Sequence, residues 1–205
     1  MIDIKNVKID FKSTMITYED FSFSKDKITF ITGKNGTGKT TLLKALAGLI
    51  KYEGAISKSN STYVSQNPIL FHMSVMDNIL YPIKIRKLDI TNYISQVKEY
   101  AKILGLTDLL GADATKLSAG ERMKTSIIRS IIFTPDYVLL DEPTTSLDEQ
   151  SIKELTLLIK SLKKSIGFII VSHDRLFKND LMEDHLELGG NYVQRQIITW
   201  DKRNN

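Results

Sequence analysis

A glycine-rich stretch, residues 33–41, carries the side chains best suited to chemistry. Its first eight residues fit the pattern Gly-x-x-x-x-Gly-Lys-[Ser/Thr], which ends here on Lys39 and Thr40. Glycines let a loop aim several backbone N–H groups at one point. The lysine adds a positive charge for β- and γ-phosphates, and the threonine hydroxyl suits Mg²⁺. The stretch therefore predicts a binding site for a nucleoside triphosphate.

Further groups that could act on a phosphate follow apolar runs along the chain. Asp141 and Glu142 come directly after the apolar residues 137–140, and His173 follows shortly after the apolar residues 168–171. Ligands bind at the C-terminal ends of strands in open α/β sheets, where one carboxylate can hold Mg²⁺ and the next can orient water. Taken singly, the carboxylates are equally well explained as an acidic pair in a turn. The histidine alone is better explained as a surface residue.

Two more polar positions have little meaning alone. Ser118 and Glu121 have the Ser-x-x-Glu spacing of a helix capping box, and capping alone explains them. Gln66 follows a short strand-like run, residues 62–65. Any chemical role for these residues depends on what surrounds them.

The elements that must position these groups alternate between strands and helices. Residues 2–11 alternate in polarity with one break near Lys5, which predicts a bulged strand, and residues 16–23 predict a second strand. The polar residues 51–60 indicate a turn or short hairpin. Helical spacing follows within residues 74–105, from Ser118 to before Pro135, and over residues 152–162. Near-continuous apolar strands between helices predict a parallel sheet that is covered on both faces.

Composition narrows the class of protein. The chain has 205 residues, of which 42% are hydrophobic and 25% charged, as in ordinary globular proteins. It has no cysteine, three histidines, no apolar run of about 18 residues, and no apolar signal segment at its N-terminus. Disulfides, thiol catalysis, structural zinc and a membrane span are therefore not expected, and we predict a cytoplasmic protein. The net charge of +4 is dispersed, so no specific nucleic-acid partner is expected.

Together and in this order, the motifs resemble the ATP-binding cassette (ABC) ATPase domain over essentially the whole chain. The matching segments are residues 33–41 (Walker A), Gln66 (Q-loop), residues 117–121 (signature), residues 137–142 (Walker B), residues 146–148 (D-loop) and His173 (switch histidine). The resemblance implies an α/β fold: a P-loop NTPase core with a mainly parallel sheet, a small antiparallel β layer and a helical subdomain. We expect a single domain over residues 1–205, with its core in 1–66 and 134–205 and its helical lobe in about 67–133.

The resemblance implies a role for each matching residue. The loop that would hold the phosphates of ATP comprises Gly33, Asn35, Gly36, Thr37, Gly38, Lys39, Thr40 and Thr41. Mg²⁺ would lie at or near Thr40, Gln66 and Asp141. Glu142 would be the general base and His173 would steady the γ-phosphate, with Lys39 and Gln66 completing the catalytic set. Phe11 would stack on adenine, although Tyr18 is also near and core packing explains either residue.

The same resemblance implies a second copy of the chain, clamped head to tail around ATP and Mg²⁺. Ser118, Ala119 and Gly120 of one chain would contact the γ-phosphate held by the other, and Asp148 would join the two sites. This signature departs from the usual Leu-Ser-Gly-Gly-Gln at Ala119 and Glu121. We expect activity to survive, while the added negative charge puts the tightness of the ATP-bound dimer in question.

The function that this resemblance implies is energy coupling in a bacterial-type ABC transporter. The chain would hydrolyse ATP on the inner face of the cell membrane and drive a separate transmembrane permease subunit. The alternative is a soluble ABC ATPase that acts on ribosomes, in DNA repair or in cofactor assembly. The short stretch between Lys39 and Gln66, residues 172–175 and the pI of about 9.0 favour that alternative. A regulatory switch that only binds nucleotide would leave the signature and His173 unexplained.

Overall fold

The fold consists of two β-sheets and a set of helices. The computed structural model describes residues 1–11, 14–189 and 192–195, and it leaves out the side chains of Phe11, Thr14 and residues 192–195. The strands are β1 (Ile2–Phe11), β2 (Thr14–Tyr18), β3 (Phe21–Phe23), β4 (Ile28–Gly33), β5 (Glu53–Ile56), β6 (Ser61–Val64), β7 (Tyr137–Asp141), β8 (Gly167–Val171), β9 (Asp184–Gly189) and β10 (Tyr192–Arg195). The helices are α1 (Lys39–Leu46), α2 (Val75–Ile85), α3 (Thr91–Ile103), α4 (Ala119–Ile131), α5 (Glu149–Leu162) and α6 (Arg175–Leu181).

The larger sheet has the strand order β10-β9-β4-β8-β7-β6. All neighbouring pairs are parallel except β10 with β9, which is antiparallel. Every residue of β7 and β8 is buried, as expected for strands covered on both faces. The prediction of a mainly parallel sheet is confirmed. Because β4, β6, β7 and β8 run in the same direction, the segments that follow them emerge at one edge of the sheet.

The larger sheet separates two apolar cores. Ile170 of β8 faces one core with α5, α6 and the helices between β6 and β7, whereas its neighbour Ile169 faces the other with α1 and β1. The alternation of side chains along a strand produces this division. The sheet is therefore packed on both faces.

The smaller sheet is antiparallel and built around β1. The register of β1 against β5 shifts between Lys5 and Lys8, and Asn6 between them has a φ of 48°, so the predicted bulge is confirmed. The predicted strand 16–23 is two strands, β2 and β3, that pair with β1 in one continuous register, with Glu19 and Asp20 between them. The carboxylate of Asp20 accepts a hydrogen bond from the Asn6 N–H, so the break between β2 and β3 lies beside the bulge in β1.

The polar residues 51–60 do not form a hairpin. Within this stretch β5 pairs with β1, while the next strand, β6, pairs with β7 in the other sheet. A hairpin requires two consecutive strands to pair with each other, whereas this segment carries the chain from one sheet to the other. Sequence spacing alone does not distinguish these arrangements.

Helices α2, α3 and α4 lie between β6 and β7, with 3₁₀ turns at Thr107–Leu109 and Ala114–Lys116. Ser74 caps α2 by accepting the Asp77 N–H, and Gly105, with a φ of 65°, lies just beyond the end of α3. Among the described helices, none has the length and apolar character needed to cross a membrane. The division into a core and a helical lobe about residues 67–133 stays a prediction.

Candidate nucleotide-binding site

A cavity of about 650 Å³ opens at the C-terminal edge of the larger sheet. Its lining comes from the loop after β4 and the start of α1, and from the segments that follow β6, β7 and β8. The lining residues are Ile16, Asn35, Gly36, Gly38, Lys39, Thr40, Thr41, Gln66, Asp141, Glu142, Thr145, Val171 and His173. The structure thus brings the predicted phosphate loop, both carboxylates, the glutamine and the histidine to one place.

The loop before α1 is shaped by close packing beneath Gly38. This residue has a φ of 94°, and a Cβ placed on it would lie 2.5 Å from the hydroxyl of Tyr18. That hydroxyl donates to the Gly38 carbonyl at 2.8 Å. Tyr18 is 1% exposed, so it supports the loop from the core and its ring is not open to a base. Core packing therefore explains Tyr18.

Lys39 reaches back into its own loop. Its Nζ donates to the carbonyls of Gly33 at 2.8 Å and Lys34 at 3.0 Å, and the residue is buried. Among the described residues, no carboxylate forms an ion pair with this ammonium. A buried cation held by neutral carbonyls at a helix N-terminus is suited to a multiply charged anion.

The remaining loop residues differ in whether they line the cavity. Asn35, Gly36 and Thr41 line the cavity, whereas Gly33 and Thr37 are not in its lining. The Thr37 hydroxyl donates to the Lys34 carbonyl at 2.9 Å, which closes the turn.

Thr40 and Asp141 place hard oxygen atoms side by side. The Thr40 hydroxyl donates to Oδ1 of Asp141 at 3.1 Å, and Asp141 is 4% exposed. Gln66 adds an amide to the same cavity. Mg²⁺ keeps several waters and takes one or two protein oxygens beside those of phosphate, so a hydroxyl and a carboxylate suffice. In keeping with this sparse set, the described residues contain no cluster of three or more metal-binding His, Cys, Asp or Glu side chains.

Glu142 is held in a strained and partly buried position. It has a φ of 51°, which is unusual for a residue other than glycine. Its Oε2 accepts the backbone N–H of His173 at 3.1 Å, and its Oε1 lies 3.4 Å from Nε2 of the same histidine. Burial raises the pKa of Glu142, and the hydrogen bond from His173 opposes that change. The arrangement provides a carboxylate near the phosphate loop, with a histidine beside it that is 63% exposed at its side chain.

The signature residues lie outside this cavity. Ser118 caps α4: its hydroxyl accepts the Glu121 N–H at 3.2 Å, and a Glu121 carboxylate oxygen accepts the Ser118 N–H at 2.8 Å. The predicted capping box is therefore confirmed. Ala119 and Gly120 form the first turn of α4, and Asp148 caps α5 by accepting the Ser151 N–H at 2.8 Å.

Three cavity residues had no predicted role, and one predicted site residue lies outside the described side chains. Ile16, Thr145 and Val171 line the cavity without belonging to any motif singled out above. Ile16 sits on a predicted strand, and only the packing of the small sheet against the loop brings it to the cavity. Phe11 was expected to stack on adenine, but its side chain is not among those that the structure describes.

Comparison with known proteins agrees with this geometry. Residues 18–145 match the family described as ABC transporter. The tungstate uptake system ATP-binding protein of Peptoclostridium acidaminophilum is 34% identical over 185 residues, which cover 84% of this chain and 86% of that protein. The molybdate/tungstate import ATP-binding protein of Pyrococcus abyssi is 34% identical over 82% of this chain and 53% of its own length. The chain thus spans about half the length of some of the curated relatives it matches.

Solved structures show the same fold. An ATP-binding subunit of an ABC transporter superposes with a TM-score of 0.88 at 19% identity, covering 97% of this chain and 90% of the other. A dimeric ATP-binding cassette in a post-hydrolysis state with ADP and Pi gives a TM-score of 0.83 at 20% identity, covering 95% and 97%. The chain belongs to the ABC transporter family and has the fold of its ATP-binding subunits. The family and the fold expected from the motifs are confirmed.

Proposed function

We propose that this chain is the ATP-hydrolysing, energy-coupling subunit of an ABC transporter, which acts in the cytoplasm against the inner face of the cell membrane. The observation that carries the proposal is the single cavity that unites Lys39, Asp141, Glu142 and His173. Relatives named as ATP-binding proteins of import systems, such as the tungstate uptake protein, support the transport assignment.

The phosphate loop supplies the binding energy for ATP. Lys39 exchanges its two loop carbonyls for oxygens of the β- and γ-phosphates, while backbone N–H groups at the start of α1 contact the same anion. Thr40, Gln66 and Asp141 are the residues that would hold Mg²⁺. When bound, this ion neutralises charge on the phosphate oxygens.

Glu142 and His173 act on the water. In hydrolysis, water attacks the γ-phosphorus, the bond from that phosphorus to the bridging oxygen breaks, and ADP and phosphate leave. Glu142 orients the water and accepts its proton, because its carboxylate is fixed by the His173 N–H. The imidazole of His173 is exposed to the cavity and steadies the γ-phosphate.

A second copy of the chain completes the site. Ser118, Ala119 and Gly120 lie outside the cavity of their own chain, at the start of α4, where backbone N–H groups can contact an anion. A head-to-tail dimer would bring this helix end to the γ-phosphate bound by the other copy, with Asp148 between the two sites.

The permease partner has a candidate docking groove on the helical side of the molecule. A depression of about 430 Å³ lies between β6, α2 and α4. Its apolar rim includes Ile69, which is 83% exposed, and Ile85, which is 59% exposed. Arg86 stacks on the Phe133 ring at 4.1 Å, and neither Arg86 nor the groove residue Arg129 forms an ion pair among the described residues. This chemistry fits a cytoplasmic helix of the membrane subunit with an apolar face and a carboxylate.

The ATPase proposal is tested with Glu142→Gln, which should bind ATP but not hydrolyse it. With ATP and Mg²⁺, light scattering should show a dimer of this variant, and the wild type should release phosphate. Glu99→Gln, on the exposed side of α3, is the matched control and should keep wild-type turnover. An inactive wild type, or a Glu142→Gln protein that stays monomeric with and without its partner, would remove the basis of the proposal.

The partner proposal is tested in the groove. Tagged Ile85→Asp should no longer purify from native membranes with a multi-span protein that stimulates the wild-type ATPase. Leu157→Asp changes a similarly exposed leucine on α5 (64%) and should retain that protein, and both variants should keep basal hydrolysis. Recovery of the wild type on ribosomes or with a soluble assembly complex would favour the alternative function instead.

A further inference from the structure

Tyr63 makes a contact that none of the family motifs assigns. It lies on β6, three positions before Gln66 and opposite Leu139 of β7. Its hydroxyl donates to Oδ2 of Asp141 at 2.8 Å. The other carboxylate oxygen, Oδ1, accepts from the Thr40 hydroxyl at 3.1 Å. Both oxygens of this buried carboxylate are therefore held by hydroxyl groups from separate elements.

We propose that Tyr63 is a positioning residue for the magnesium ion, acting through the carboxylate of Asp141. The inference rests on the proposed ATPase function and adds a residue outside the catalytic set. Two hydroxyl contacts, one on each oxygen, prevent the carboxylate from turning about its Cβ–Cγ bond. The lone pairs that remain keep a fixed direction toward the cavity, where a metal ion or its water can meet them.

The burial of Asp141 shows why this hydrogen bond has an energetic role. The residue is 4% exposed, and an ionised carboxylate removed from water is costly unless hydrogen bonds replace its hydration. The Tyr63 hydroxyl supplies one of these hydrogen bonds, and the Thr40 hydroxyl supplies the other.

Tyr63 also connects the carboxylate to the strand that delivers Gln66. Its ring packs against the core that contains Leu139, and its hydroxyl reaches the end of β7. Phenylalanine would fill the same apolar space without the donor. Tyr63→Phe therefore removes one hydrogen bond while leaving the packing of β6 unchanged.

The test measures metal binding apart from turnover. Mn²⁺ affinity is measured by electron paramagnetic resonance in the presence of a non-hydrolysable ATP analogue, and affinity for the analogue alone is measured with a chelator present. Tyr63→Phe should weaken Mn²⁺ binding about 10-fold, in line with the loss of an outer contact to a metal ligand. Affinity for the metal-free analogue should stay within about twofold, because the phosphate loop is untouched. The apparent KM for Mg²⁺ in hydrolysis should rise while kcat at saturating Mg²⁺ recovers.

The matched control is Tyr137→Phe, which removes a phenol that donates to the Phe23 carbonyl at 3.1 Å in the same apolar core. It should leave Mn²⁺ affinity unchanged. Equal Mn²⁺ affinity in Tyr63→Phe and wild type would overturn the inference. An equal loss of affinity for the analogue with and without metal would also overturn it. A wild type that binds Mn²⁺ with the analogue but never hydrolyses ATP would overturn the proposed function alone. A wild type that binds neither would overturn both.

Discussion

The cavity at the sheet edge and the signature at the start of α4 are organised in different ways. The cavity is built from side chains far apart in sequence: Lys39, Gln66, Asp141 and His173 meet because four parallel strands end at one edge. Lys39 and Asp141 are buried, and contacts between distant segments join Thr40 to Asp141 and Glu142 to His173. The site depends on the tertiary fold, and one chain provides nearly all of it.

The signature, by contrast, is held by contacts within one helix turn. Ser118 and Glu121 bond to each other's backbone N–H groups, and Ser118 is exposed while Glu121 is half-buried. The surface has the donors of a helix N-terminus, whereas the cavity adds the buried ammonium of Lys39. The difference supports the proposal that the chain carries two unlike half-sites, in which the signature half works with the cavity of a second copy.

The largest effect is expected from a change at Lys39, which belongs to the cavity half-site and not to the signature. Lys39→Ala should weaken ATP binding by about 100-fold, because the ammonium is the buried cation of the cavity. Calorimetric titration measures this loss, and ATP should no longer raise the Tm. Lys34→Ala alters an exposed lysine of the same loop and should bind ATP normally. ATP affinity within threefold of wild type in Lys39→Ala would contradict a cavity built around this charge.

A smaller effect is expected when only the signature is altered. A Cβ on Gly120 would lie 2.8 Å from the Ser146 carbonyl oxygen, so Gly120→Ala must shift α4 or the segment before α5. We expect ATP affinity per chain to stay within twofold, while hydrolysis falls about 10- to 100-fold from the strain at the interface. Light scattering in the Glu142→Gln background should show a weakened ATP-dependent dimer.

The control for Gly120 is another glycine of the segment between β6 and β7. A Cβ on Gly111 would meet nothing within 4 Å, and its φ is not in the left-handed region. Gly111→Ala should therefore keep both activity and dimer formation. Loss of ATP binding by isolated Gly120→Ala chains would show that the signature and the cavity depend on each other within one chain. The contrast between two separate half-sites would then be wrong.

The same contrast explains what the sequence could predict. The phosphate loop, the capping box and the buried strands β7 and β8 follow from local patterns, and all are present in the structure. The contact between Tyr63 and Asp141 depends on β6 lying beside β7, which no local pattern specifies. The candidate docking groove likewise depends on how α2 packs against α4.

The C-terminal elements were missed for a related reason. In β9, Asp184, Leu186 and Leu188 are buried in strict alternation, so the strand signal was present but short. In α6, only Phe177 and Leu181 are buried, four positions apart, which is too little for a helical period. These elements are held in place by the sheet and by α5, not by their own patterns.

The smallest expected effect tests whether the negative charge of Glu121 acts within its own helix or on the bound phosphate. The hydrogen bond from the Ser118 N–H holds the pKa of Glu121 below its ordinary value. A lowered carboxyl pKa means that ionised Glu121 stabilises the fold above the unfolded pKa of about 4.3, and that this stability is lost as the pH falls through the native pKa. Glu121→Gln should therefore lower the Tm by roughly 1 °C at pH 7, a difference that disappears near pH 3.

The same variant decides how the altered signature affects the dimer. Because the Glu121 carboxylate is bound to the first turn of its own helix, we expect Glu121→Gln in the Glu142→Gln background to tighten the ATP-dependent dimer by no more than about threefold. Sedimentation at two salt concentrations measures this change. A gain above about 10-fold that vanishes at high salt would show that the charge reaches the phosphate of the second copy. The signature would then be an electrostatic part of the cavity across the dimer, and the two half-sites would differ less than their contacts indicate.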